Sequence, residues 1–202
     1  MASTVRTRVR YEAEPSKGSR FIATVVPVTS EADAKAALAE ARVEMPDAGH
    51  HCWAWRIASP SIDRASDDGE PSGSAGRPIL AQLTGRDLVD TAVIVSRYWG
   101  GTKLGVGGLV RAYGGAAGEA LDHAQLEPWV AHVAAVVTHE HSDTDAVVRA
   151  MAGVRSTDVD VVYAATVIRH IEVASEDAEA LVAAVADATA GKATVSLGAD
   201  EE

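Results

Sequence analysis

The sequence predicts a mixed α+β chain folded as two domains, residues 1–126 and 131–202, and three observations carry that prediction. Strand-like segments with two-residue alternation interleave with segments of helical spacing along the whole chain. Formal charge is −11 overall but unevenly spread, with 14 Lys/Arg against 16 Asp/Glu in residues 1–130 and 4 against 13 in residues 131–202. Glu127 and Pro128 separate a long helical pattern from a Val-rich strand pattern and mark the linker. At 202 residues, 47% hydrophobic and 23% charged, the chain has a globular composition and enough length for two cores, since domains run to about 100–150 residues.

In the first domain, FIATVVPV at 21–28 reads as a strand. Ser30 is positioned to cap a helix with Ala34, Ala37, Leu38 and Ala41 on one face, which Pro46 and Gly49 stop. Residues 51–59 read as a strand with Trp53, Trp55 and Ile57 on one side and Cys52, Ala54, Arg56 and Ala58 on the other. A polar loop is expected over 60–75. Pro78 opens a short helix that ends near Gly85, following the preference for proline at helix starts and glycine at helix ends. A continuous apolar strand at 91–95 leads through a glycine-rich turn into a long helix bearing Leu109, Val110, Tyr113, Ala117 and Leu121.

The second domain opens on a strand at 131–138, AHVAAVVT. Ser142 and Asp145 then have the spacing of a capping box for a helix to about Ala152. Strands at 158–163 and 165–174, a helix opened by Ser175 and a strand at 193–197 complete the order βαββαβ. That order folds most simply as a ferredoxin-like sandwich, a four-stranded antiparallel sheet with both helices on one face. His139, Glu140 and His141 have a metal-like composition, but neighbouring strand residues point to opposite sides, so they read as ordinary structural residues.

Several function classes are excluded or narrowed. No stretch approaches the roughly 20 apolar residues of a membrane-spanning helix, and MASTVRTRVR lacks the apolar core of a secretory signal. The lone Cys52 cannot form an internal disulfide. The expectation is a cytoplasmic protein without membrane contact. The acidic second domain repels polyanions, so any RNA contact is expected from local basic groups of the first.

Three segments could carry chemistry. The first is SRYWGGTKLGVGGLVRAYGG at 96–115, between a buried strand and a helix. Gly100, Gly101, Gly105, Gly107 and Gly108 permit close approach to the backbone, the helix start offers free amides, and Arg97, Lys103 and Arg111 supply cations. This reads as an anion site, against the plainer reading of a tight strand-to-helix connection. Val110 stands where the dinucleotide fingerprint needs a glycine and no Gly-Lys-Ser/Thr follows, so neither familiar nucleotide loop is present. The second is SDDGEPSGSAGRP at 66–78, where Asp67, Asp68 and Glu70 either bind a hard cation or act as a general base, or by hydrogen bonding rigidify the turn-rich loop or cap the next helix; Asp68 and Glu70 are the candidates for base or ligand if the protein is an enzyme. The third is HHCWAW at 50–55. His51 and Cys52 diverge on a strand, so Cys52 reads as a buried thiol rather than a nucleophile. Trp53 and Trp55 read as core and Trp99 as an exposed contact.

KGSRF at 17–21, HHCWAW at 50–55, DDGEPSGSAGRPIL at 67–80 and SRYWGGTKLGVGGLVRAYGG at 96–115 together, and in this order, resemble the signature of the YigZ/IMPACT family. Ser74 stands where Thr is usual, Trp99 where Phe or Tyr is, and Val106 where Thr is frequent. The resemblance implies a first domain similar to the second domain of a small-subunit ribosomal protein, with helices on one face of a sheet. It further implies a second domain similar to domain V of elongation factor G, and a role in regulating translation through RNA, the ribosome or a translation-associated protein. No metal or cofactor is implied. The alternative is an enzyme acting on a phosphorylated or nucleotide metabolite between the 67–78 and 97–111 loops.

Overall fold

A computed structural model describes residues 2–198, which divide into two compact units between Trp129 and Val130. The first unit runs β1 (Ser3–Val5), β2 (Val9–Glu12), β3 (Arg20–Pro27), α1 (Glu31–Glu44), β4 (His50–Ile57), β5 (Ile62–Ser66), α2 (Gly76–Gly85), β6 (Thr91–Tyr98), α3 (Val106–Asp122) and β7 (Leu126–Pro128). Five strands form one sheet in the order β2-β3-β6-β4-β5, antiparallel at every pairing, while β1 and β7 pair separately.

Central β6 is apolar in both alternating sets because both sheet faces are covered. Val93 and Val95 join Phe21, Ala23, Cys52 and Ala54 beneath α2 and α3, against Ile79, Leu83, Leu109 and Tyr113. Ala92 and Ile94 join Trp55 and Ile57 on the other face, against Ala34, Ala37, Leu38 and Ala41 of α1. The helices therefore lie on both faces of the sheet, which corrects the one-face arrangement expected from the family resemblance. Ser30 caps α1 as expected, its hydroxyl accepting from the Asp33 amide. The expected polar loop at 60–75 contains β5, an edge strand pairing Ile62–Ser66 with Ile57–Trp53. Val110, read with the apolar face of α3, is exposed.

The second unit runs β8 (His132–His139), α4 (Thr144–Met151), β9 (Ser156–Tyr163), β10 (Val167–Ala174), α5 (Ala178–Thr189) and β11 (Thr194–Leu197). Its antiparallel sheet has the order β11-β8-β10-β9. Val147 and Met151 of α4 and Leu181 and Val185 of α5 pack with Ala135, Val137, Ile171 and Val173, one alternating set of strand residues. The expected Ser142 capping box does not form: residues 141–143 make a single tight turn, α4 begins at Thr144, and the Thr144 hydroxyl donates to the His141 carbonyl. Among the described residues no helix is long and apolar enough to cross a membrane.

Candidate functional site

The 67–76 loop is organised by Asp67. Its Oδ1 accepts from the amides of Ala75 and Gly76, both at 2.8 Å, and its Oδ2 from that of Gly73 at 2.7 Å. The Ala75 and Gly76 amides stand at the start of α2, so Asp67 caps the helix from nine residues away while its bond to Gly73 closes the loop. Burial alone would raise its pKa, but the three amides, with help from Arg77, hold it below the ordinary carboxylate value. Asp68, in the left-handed region at φ 42°, accepts from the His51 amide at 2.7 Å and from Arg42 at 3.0 Å. Of the two residues read as candidates for base or ligand, Asp68 is thus spent on holding the loop to β4 and α1.

Glu70 turns inward. Its Oε1 accepts from Arg97 Nη1 at 2.5 Å and from the Tyr113 hydroxyl at 2.7 Å, and the two charged side chains are only 5% and 8% exposed. Arg97 Nη2 also reaches Ser19 Oγ at 3.3 Å, and the same oxygen accepts from the Gly100 amide at 3.1 Å. Ser19, Glu70, Arg97 and Tyr113 form one polar network inside the first unit. Burial raises the Tyr113 pKa, and the neighbouring Cys52 and Glu70 push it further.

His50 completes the wall. Its Nδ1 lies 2.8 Å from the Asp68 carbonyl, which can only accept, so Nδ1 carries a proton. Nε2 lies 4.0 Å from Glu70 Oε1. His51 differs: its ring pairs with Ser96 Oγ at 2.8 Å, and burial depresses its pKa. Cys52 is buried, its thiol donating to the Asp67 carbonyl, and burial pushes its pKa up to about 12.

His50, Glu70, Pro71 and Arg97 meet Trp99, Lys103 and the start of α3 around a cavity of about 500 Å³, within the roughly 300–1,000 Å³ range of small-molecule sites. The two loops singled out in the sequence therefore converge. Among the predicted anion-binding residues, Arg97, Lys103 and Gly105 line this cavity, while Gly108 and Arg111 line a second one of about 250 Å³ with Lys17 and Glu119. Arg97 is neutralised by Glu70, leaving exposed Lys103 as the open cation of the larger cavity. Gly100 is a packing residue: a Cβ there would stand 1.9 Å from the Gly18 carbonyl carbon. Gly101 and Gly105 have φ of 84° and 72°, and Gly105 is the N-cap of α3. Gly107 follows inside the first turn of α3, where amides have no partner within the helix.

A sequence profile of the Impact N-terminal domain matches residues 17–121, just over half of the chain. The chain belongs to this family. The IMPACT family member YigZ of Escherichia coli is 47% identical over 111 residues, 54% of each chain. An IMPACT family member of Thermus thermophilus is 50% identical over 115 residues, 55% of this chain and 62% of that one. The chain thus spans about half the length of the curated relatives it matches. A crystal structure of a hypothetical protein is similar over 100% of this chain and 99% of its own, at 32% identity and a TM-score of 0.74. A structure of the two-domain translational regulator Yih1 covers 60% of this chain at 28% identity, with a TM-score of only 0.36.

Within this IMPACT-type unit, reading the sequence missed His50, Ser19 and Tyr113 as parts of the site. The His50-Cys52 alternation put His50 and the buried thiol on one strand face, but nothing in the sequence placed that face beside Glu70. The histidines of the second unit make ordinary contacts: His139 Nδ1 lies 2.9 Å from the Glu140 carbonyl and His141 Nε2 lies 3.0 Å from that of Ala164. Among the described residues no cluster of three His, Cys, Asp or Glu could hold a metal.

Proposed function

We propose that this protein is a translation-linked regulatory factor of the IMPACT type, acting in the cytoplasm, whose first unit contacts RNA phosphate at the mouth of the larger cavity. We propose likewise that the first unit is of the ribosomal-protein type and the second a ferredoxin-like relative of domain V of elongation factor G. The observation carrying the reading is the position of exposed Lys103 beside the first turn of α3, at a cavity walled by both glycine-rich family motifs. A helix start and a lysine together favour an anion. The second unit, with 4 basic against 13 acidic residues, is unsuited to RNA and turns toward other partners.

The test is a salt series of single-stranded RNA and ribosome binding for wild type and Lys103→Ala. One lost phosphate contact lowers the slope of log affinity against log salt by about 0.7–0.9. Equal affinity and equal slope for both proteins would remove the phosphate contact, and capture of a translation-associated protein that survives ribonuclease would transfer the role to protein binding.

A second reading, an enzyme acting on a phosphorylated metabolite, is favoured by one specific observation: His50 Nε2 and Glu70 lie 4.0 Å apart on the wall of a cavity rather than on separate faces. Product formation from a panel of phosphorylated metabolites, lost in His50→Ala, would establish it. An unchanged panel would remove it.

A further inference from the structure

Every feature of the larger cavity selects for a particular kind of guest. Trp99 is 67% exposed and lines it, although the other tryptophans are used by the fold: Trp55 is buried, Trp53 stacks on it at 3.7 Å, and the Trp129 indole donates to Asp90. An exposed indole at a cavity offers a π-face to any flat ring. Inside, His50 donates from Nδ1 to the Asp68 carbonyl and holds Nε2 4.0 Å from Glu70 Oε1, so that wall offers hydrogen-bonding groups to the hydroxyls of a guest. Arg97 lines the same cavity, is more than nine-tenths buried, and its Nε has no acceptor. Lys103 forms no ion pair among the described residues and stands next to the amides that open α3, where an anionic group is favoured. Pro71, Leu104, Val106 and Leu109 make the remaining lining apolar.

We infer that this cavity holds one ribonucleotide unit, its base against Trp99, its ribose hydroxyls on His50 Nε2 and Glu70, and its phosphate on Lys103 and the first amides of α3. A nucleotide joins a flat ring, a pair of vicinal hydroxyl donors and a compact anion, and a cavity of some 500 Å³ lies within the size range of small-molecule sites. The unit comes either from a free nucleoside monophosphate or from an unstacked nucleotide of a single strand. Only the second source rests on the RNA contact proposed above.

The experiment is calorimetric titration with the four ribonucleoside 5′-monophosphates, their 2′-deoxy forms, the parent nucleosides and a 5′-phosphorylated single-stranded RNA decamer. It uses the full chain as wild type, Trp99→Ala, Lys103→Ala and His50→Ala, with urea midpoints to verify folding; Trp99 and Lys103 are exposed, so those two variants leave the core untouched. Ribonucleoside monophosphates are expected to bind, with Trp99→Ala about ten- to a hundredfold weaker, His50→Ala and the deoxy forms weaker, and the nucleosides indifferent to Lys103→Ala. Competition by the decamer assigns the strand-borne source, and absence of competition the free nucleotide. Failure of every monophosphate and of the decamer to bind overturns the inference, as does binding that Trp99→Ala and Lys103→Ala leave unchanged. A decamer that binds with the expected salt slope but ignores Trp99→Ala overturns the inference and leaves the RNA contact standing. A mononucleotide that binds while RNA does not has the opposite effect.

Discussion

Replacing Asp67 removes the acceptor on which the loop over the cavity closes. Three amides point at its carboxylate at 2.7–2.8 Å, and hydrogen bonds to a charged group each net about 1.5–3 kcal/mol. Asp67 is only half-buried, so the low end applies; three such bonds amount to about 4–5 kcal/mol, and water returns part of that once the amides are freed. Asp67→Ala is therefore expected to lose about 3 kcal/mol, somewhat more than an ordinary cap. Asp67→Asn keeps one carbonyl oxygen for Ala75 and Gly76 but faces the Gly73 amide with a donor, and is expected to lose about 1.5 kcal/mol.

Urea unfolding followed by tryptophan emission is the assay, because positions 53, 55, 99 and 129 all belong to the first unit and the signal reports that unit alone. The pH dependence provides an independent check. The folded pKa of Asp67 lies below its unfolded value, which is about 3.9. The advantage of wild type over Asp67→Asn is then fully present above the unfolded value and shrinks as pH falls through the folded one. A loss below about 1 kcal/mol in Asp67→Ala, or a gap to Asp67→Asn that does not narrow on acidification, would refute the capping role.

Two further outcomes are expected. Gly100→Ala forces a methyl into the Gly18–Ser19 backbone, where the nearest atoms would be 1.9–2.2 Å away, so it should cost at least about 3 kcal/mol by the same urea assay; a cost below about 1 kcal/mol would mean that the two loops are not locked together. Cys52, buried with its pKa pushed up to about 12, should resist a thiol reagent at pH 8 in the native protein and react within the mixing time in denaturant, and rapid native labelling would contradict its burial.

How far the sequence revealed all this depended on whether the deciding interaction was local. The Ser30 cap, the alternation in β4 and the apolar run of β6 are local signals, and the corresponding elements appear in the structure. β5 escaped because IDRAS is a partly exposed edge strand with only weak alternation, and β1, β2 and β7 are too short to show any period. Helical spacing revealed that α1 has an apolar face, but a period cannot say which side of a sheet that face will meet. β6, apolar in both alternating sets, carried the evidence for two covered faces. Arg97 followed the same logic at the site. Gly100, Gly101 and Lys103 follow it within six residues, which suggested an open cation, whereas its fate was decided by Glu70, 27 residues away, and by Ser19, 78 residues away.

That distance dependence also explains why the family signature comprises four separated motifs. KGSRF supplies Ser19, HHCWAW supplies His50, the DDGEPSGSAGRP loop supplies Glu70, and the long glycine-rich segment supplies Arg97, Gly100 and Tyr113. A buried charge pair is costly when it loses a partner, and a partly satisfied network is worse than none, so these residues form a single physical unit and must occur together. Trp99 and Lys103 lie outside that network: neither contributes to the hydrogen bonds joining Ser19, Glu70, Arg97 and Tyr113, and both are exposed. The network builds and fixes the cavity wall, while the exposed indole and ammonium beside it are free to meet a ligand. A substitution at Arg97 should therefore be read first as damage to the scaffold, whereas one at Trp99 or Lys103 leaves the network intact and tests the proposed ligand contacts directly.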